Sequence, residues 1–68
     1  MLNRTIKAKF DIELPETNEW LTNFHSVTFE VTAETEDELW EEAHMRCEAV
    51  ACEIERDNGF PTIYQYTA

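Results

Sequence analysis

Three stretches of the chain have the composition and the apolar-polar pattern of β-strands. The first runs from Thr5 to Leu14 and the second from Ser26 to Ala33, and both alternate strictly, as a strand with one buried face does. A third stretch, from Thr62 to Ala68, is rich in β-branched and aromatic residues and also predicts a strand. Its facing stays open, because either Ile63 or the two tyrosines near it could point inward.

The segment between the first two strands does not alternate regularly. Pro15 ends the first strand, since proline has no backbone donor for a ladder. Pro15 to His25 predicts a polar loop that is long for a hairpin, so we expect it to fold back on itself or on the sheet edge. Trp20, Leu21 and Phe24 interrupt it. We expect these three side chains to plug the open end of the core; the alternative is an exposed aromatic contact patch.

A long amphipathic helix is predicted between Thr35 and Gly59. Thr35 and Glu38 form a capping box at its start, and Gly59 can take the left-handed conformation that ends a helix. Most of the apolar residues fall within an arc of about 120° at helical spacing. This predicted core face consists of Leu39, Trp40, Ala43, Cys47, Val50, Ala51 and Ile54.

The order of these elements predicts a single α+β domain over residues 1–68 with a β-β-α-β layout. A right-handed crossover through the helix returns the third strand parallel to the second. The simplest sheet that satisfies this has the order 2-1-3, with the first strand central and the helix packed on one face. The fold is therefore expected to have two layers.

The charge of the chain narrows the possible partners. Fifteen acidic residues against five basic ones give a formal net charge of -10. Such a field repels nucleic acid and anionic membranes and attracts basic protein surfaces. With no membrane-spanning run, no signal peptide and two cysteines expected to be reduced, we expect a soluble cytoplasmic protein, in the host cytoplasm if it is phage-encoded.

Metal binding and catalysis are weakly supported by the sequence. His44 and Cys47 have a usable helical spacing for zinc, but Cys52 points elsewhere and His25 lies in a distant loop. No cysteine or serine is placed beside a base, and the only glycine ends the helix, which excludes a phosphate-binding loop. We expect a protein without cofactor, metal site or enzymatic activity.

The outer side of the helix is the candidate functional surface. The segment from Glu34 to Asp57 holds ten of the fifteen acids. A strip of Met45, Ala49 and Cys52 at i, i+4, i+7 lies on the same side, either as ordinary surface or as a seam for a homodimer or a partner. The predicted partner-binding residues are Glu38, Glu41, Glu42, Met45, Glu48, Cys52, Glu53 and Glu55.

In size, charge and its acidic helix TEDELWEEAHMRCEAVACEIERDNG, the chain resembles phage-encoded inhibitors of bacterial defence. These are the anti-CRISPR and anti-restriction proteins, several of which mimic nucleic acids. The resemblance is at the level of the class and assigns no role to any single residue. It implies an inhibitor that occupies a basic nucleic-acid-binding surface of a host protein by charge and shape, without binding nucleic acid itself.

Two other functions stay open. The β-β-α-β order with a free sheet edge also looks like the small N-terminal domain of HicB-type antitoxins, which would imply a regulatory protein-binding module. Those antitoxins carry a DNA-binding segment after this unit, whereas this sequence ends at Ala68. A small phage structural or assembly protein is the third candidate.

Overall fold

The computed structural model describes residues 1–68. In chain order the protein has strand β1 (Leu2–Leu14), strand β2 (Glu19–Ala33), helix α1 (Glu36–Asn58) and strand β3 (Thr62–Thr67). The strands form one sheet in the order β2-β1-β3, and β1 is antiparallel to both neighbours. The predicted α+β layout, with the first strand at the centre of the sheet, is confirmed.

The core lies between α1 and one face of the sheet. The even-numbered residues of β1 that α1 covers are at most 1% exposed: Ile6, Ala8, Phe10 and Ile12. The helix residues buried against them are Leu39, Ala43, Cys47, Ala51 and Ile54. The helical spacing therefore predicted the core face correctly, with Trp40 and Val50 half-buried at its margins.

Thr35 and Gly59 cap α1 as the sequence indicated, but the predicted capping box is only half formed, because the Glu38 side chain accepts no hydrogen bond from Thr35. The Thr35 hydroxyl accepts a hydrogen bond from the backbone N–H of Glu38 at 3.2 Å, which satisfies one of the unpaired donors of the first turn. Gly59 has φ of 73° and donates its N–H to the Glu55 carbonyl at 2.7 Å. A left-handed residue at this position ends the helix at low cost only when it has no Cβ.

The loop predicted from Pro15 to His25 is mostly strand, so that prediction is wrong. The turn occupies only residues 15–18, and β2 already begins at Glu19. The register with β1 shifts between Phe10 and Ile12, opposite an irregular segment of β2 in which Asn23 has φ of 54°. This β-bulge adds residues to β2 and breaks the period of two, which hides the strand from pattern analysis.

Trp20, Leu21 and Phe24 do not plug the core, and that expectation is also wrong. Their side chains are 44%, 46% and 40% exposed, respectively. Trp20 lies opposite Glu13 on the uncovered face of the sheet, because directly paired residues of an antiparallel ladder point to the same side. All three side chains are exposed, as in the alternative of an aromatic contact patch, but they do not share one face, because Leu21 pairs with the core residue Ile12 and so points to the helix side, opposite to Trp20.

The tyrosines of β3 point to the helix side of the sheet, and Ile63 points to the opposite side. Tyr64 and Tyr66 are half-buried on the helix side, whereas Ile63 is 49% exposed on the other side. The Tyr64 ring packs 5.9 Å from the ring of Phe10, and the Tyr66 ring lies 6.1 Å from that of Trp40. Aromatic contacts along β3 therefore close one flank of the core.

Candidate protein-binding surface

The outer side of α1 is fully open to solvent. All eight residues predicted to bind a partner are exposed, and we call their surface the acidic face. Met45, with 59% of its surface exposed, lies among them together with Ala49 and Cys52. The helical spacing therefore brings the predicted residues together on one surface, but the structure gives the carboxylates different roles.

Two of the predicted carboxylates are engaged with β3. One Glu48 oxygen accepts a hydrogen bond from the Tyr64 hydroxyl at 2.6 Å and lies 3.5 Å from Nε2 of His44. A Glu55 oxygen accepts from the backbone N–H of Thr62 at 3.0 Å. Both side chains hold the helix against the third strand, so the internal contacts of the fold account for them without a partner.

Glu42 and Glu53 belong to ion pairs along the helix. The Glu42 carboxylate lies 3.3 Å from Nε of Arg46, and Glu53 lies 4.0 Å from the guanidinium of Arg56. The groups in both pairs are about half exposed or more, and such pairs contribute little to stability. These carboxylates are locally neutralised but remain accessible to a basic partner.

Glu38 and Glu41 are the least engaged carboxylates of the acidic face. Neither side chain forms an ion pair or a hydrogen bond within the protein. Glu38 lies in the first turn of α1, where the positive end of the helix dipole stabilises negative charge, and Glu41 lies about one turn further along. Because no internal cation competes for them, they can meet a cationic partner without breaking an existing contact.

Sequence reasoning missed two acidic residues beside this surface. Glu36 accepts from the Arg4 guanidinium at 2.9 Å and from the Trp40 indole N–H at 3.2 Å, which attaches the start of α1 to β1. The alternation of β1, continued back from Ile6, places Arg4 on the helix side and could have indicated this pair. Glu34 lines a cleft between the end of β2 and α1. The cleft exists only because these two elements approach each other in the fold, so no local sequence pattern indicates it.

The His44, Glu48 and Tyr64 contacts form the best-defined polar cluster. Nδ1 of His44 lies 3.3 Å from the Tyr64 hydroxyl, while that hydroxyl donates to Glu48. Burial, followed by the hydrogen bond to the Glu48 carboxylate and its negative charge, raises the pKa of Tyr64 well above its ordinary value. The neutral phenol is therefore the form that the folded protein favours.

Replacing Tyr64 with phenylalanine should lower the free energy of unfolding by about 1 kcal/mol, because Glu48 loses its donor while the ring packing remains. Urea denaturation at neutral pH measures this difference. Tyr66→Phe is the matched control, since the Tyr66 hydroxyl forms no hydrogen bond within the protein and its removal should change little. Equal losses in both variants would contradict a role for the bond to Glu48.

The stability that the Tyr64 hydroxyl contributes should depend on pH. A raised pKa in the folded state means that the hydroxyl contributes stability below the unfolded pKa of about 10. That contribution is lost as the pH rises through the higher folded value. The stability difference between the wild type and Tyr64→Phe should therefore be constant at neutral pH and shrink only in strongly alkaline solution.

The cysteines and histidines do not converge on a reactive site. Cys47 is buried in the core, and burial raises the pKa of its thiol, which disfavours the nucleophilic thiolate. Cys52 is exposed on the acidic face. No group of three or more His, Cys, Asp or Glu side chains has an arrangement that could hold a metal ion.

The comparisons give no family to which the chain can be assigned. No protein-family model, curated protein or solved structure matches it. No helix of the protein combines the length and the apolar character that crossing a membrane requires. The candidate surface is therefore assessed from its own geometry and charge.

Proposed function

We propose that the protein is a non-enzymatic acidic inhibitor of the phage-encoded, anti-CRISPR-like kind. Its partner is a basic nucleic-acid-binding surface of a host defence complex. The acidic face of α1 takes the place of a nucleic-acid backbone there, so that lysine and arginine side chains of the target meet carboxylates instead of phosphates. The observation that carries this proposal is the exposed acidic face, on which Glu38 and Glu41 have no internal partner.

The density of charge supports mimicry of a nucleic-acid strand. The acidic face carries six carboxylates between Glu38 and Glu55, a helical segment of about 27 Å at 1.5 Å per residue. This is about one carboxylate per 4.5 Å, of the same order as the roughly 3.4 Å per phosphate along one strand of DNA. Crowding like charges on one helix destabilises it at i,i+4 spacing, so solubility alone is a weak reason for this arrangement.

The rigidity of the surface also favours this function. The carboxylates project from a single helix that is capped at both ends and packed on the sheet through five buried side chains. A fixed array loses less conformational entropy on binding than carboxylates on a flexible tail would lose. A preorganised row of negative charge is therefore suited to competition with nucleic acid for a basic groove.

A capture experiment tests the proposed function. The immobilised protein is exposed to bacterial cytoplasm at about 50 mM and about 200 mM salt, where charge-mediated binding differs strongly. We expect a nucleic-acid-binding protein to be retained at the lower salt, weakened at the higher salt, and released by added duplex DNA or RNA. Retention that is insensitive to both salt and nucleic acid would contradict charge mimicry.

A further inference from the structure

Strand β2 has a long open edge. It is the longest strand, with fifteen residues, and in the sheet it pairs with β1 only. Beyond the bulge its register with β1 is unbroken from His25 to Ala33, so this run is a regular strand. We call its unpaired side the β2 edge. Such an edge presents backbone donors and acceptors to which another extended chain can bind.

Few features protect the β2 edge from pairing. The sequence of β2 contains neither lysine nor proline, the residues that commonly blunt edge strands. One side chain covers part of the strand: Nη1 of Arg46 donates to the Glu30 carbonyl at 3.2 Å, and its guanidinium lies 5.3 Å from the centre of the Phe29 ring. Apart from this bond, no backbone group from His25 to Ala33 is engaged outside the ladder with β1.

An acidic cleft lies beside the final part of this edge. It is an open depression of about 450 Å³ where the end of β2 meets the first half of α1. Glu34, Glu38 and Glu42 contribute three carboxylates to its lining, against the guanidinium of Arg46 and the amino group of Met1 at its rim. Because that guanidinium is already paired with Glu42 at 3.3 Å, the cleft keeps an excess of negative charge.

The side chains next to the edge define the chemistry of a complementary segment. Val27 and Phe29 point to the helix side and remain half-buried, so a neighbouring strand would cover them further. Side chains of the same strand that reach the cleft would meet the excess of carboxylates. Basic residues combined with β-branched ones therefore fit this position, whereas acidic residues are repelled.

We propose that the β2 edge binds an extended basic segment of a partner protein as an added strand. Backbone hydrogen bonds along the run from His25 to Ala33 supply affinity, and the cleft with Glu34 selects positively charged side chains. The cleft adjoins the acidic face, because Glu38 and Glu42 belong to both, whereas strand addition itself depends on the backbone of β2 and on Glu34, which lie outside that face. Arg46 donates a hydrogen bond to the Glu30 carbonyl at this edge, so an added strand either displaces the Arg46 side chain or pairs with the backbone groups on either side of it.

The test uses the intact protein and a defined probe, a peptide as long as the run whose side chains on one face are valine beside Val27 and Phe29 and lysine beside the cleft, with threonine on the other face. We expect the peptide to bind and to slow hydrogen exchange at amides of β2 between His25 and Thr32. A second peptide, N-methylated at alternate backbone nitrogens along one edge, should bind more than about tenfold more weakly, because it cannot complete the ladder. Equal binding of the two peptides, or no binding of either, overturns strand addition.

Two further measurements test whether the cleft contributes to peptide binding and whether a second copy of the protein occupies the β2 edge. Glu34→Lys should weaken peptide binding about fivefold, whereas Glu16→Lys, which makes the same charge change in the distant β1-β2 turn, should not. Equal weakening by both variants overturns the role of the cleft.

Before peptide is added, the protein should sediment as one 8.0 kDa chain. A dimer whose β2 amides are already protected would show that a second copy occupies the edge, and it overturns the proposal.

Discussion

Phe10→Ala should destabilise the protein severely and shift its urea midpoint far below that of the wild type. Phe10 is fully buried at the centre of β1, with its ring 5.9 Å from the rings of both Tyr64 and His25. Truncating a buried phenylalanine costs about 3–5 kcal/mol, because apolar contacts are lost and a cavity remains. At about 0.05–0.15 kcal/mol per residue, the whole chain has only about 3–10 kcal/mol of stability. A single core substitution can therefore remove most of it.

Urea denaturation followed by circular dichroism measures this effect. Phe24→Ala is the matched control, because it deletes the same atoms from a side chain that is 40% exposed. The control should lose only about 1–2 kcal/mol, since its side chain is partly in water already and its removal leaves no enclosed cavity. A urea midpoint for Phe10→Ala close to that of Phe24→Ala would show that the described core is wrong.

The second large effect concerns the acidic face. Reversing Glu38, Glu41 and Glu53 to lysine should weaken binding of the captured partner by about a hundredfold or more, as three favourable contacts become repulsive. These carboxylates are chosen because none of them bonds to β3, unlike Glu48 and Glu55. The fold should therefore be retained, with a small loss of stability because a lysine replaces Glu38 in the first turn of α1, and circular dichroism checks this. The measurement is the affinity of each purified variant for the partner recovered in the capture experiment.

A matched variant separates the acidic face from net charge. Glu13, Glu16 and Glu19, at the β1-β2 turn, form no side-chain ion pair or hydrogen bond, and their reversal to lysine changes the net charge by the same amount. This variant should lose only the part of the affinity that depends on long-range attraction. If both triple variants lose binding equally, the acidic face is not the docking surface, although overall charge would still matter.

The sequence indicates most of the fold because its local signals agree with the tertiary structure. The alternation from Ile6 to Leu14 marks the buried face of β1, and the capping residues Thr35 and Gly59 mark both ends of the helix. The exception is the first half of β2. There the positive φ of Asn23 and the bulge interrupt the period of two, so Trp20 and Leu21 look like loop residues.

The candidate site is predictable in position but not in detail. Helical spacing alone places the acidic residues on the outer side of α1, and the structure agrees. Helical spacing cannot show that Glu48 accepts a hydrogen bond from Tyr64 while the Glu41 side chain has no partner. That difference depends on which side chains of β3 point towards α1. The facing of β3 is ambiguous in a strand of six residues, where either set of side chains could be buried.

The pairing of β1 with β3 has a consequence for how the protein forms. The central strand precedes β2 and α1 in the chain, whereas its neighbour β3 follows them, with Lys7 opposite Thr67. The β1-β2 hairpin can form early, but the sheet and the aromatic flank beside Phe10 are completed only when β3 pairs with β1. Contacts so distant in sequence slow folding. On the ribosome, the native sheet therefore closes only after β3 has emerged.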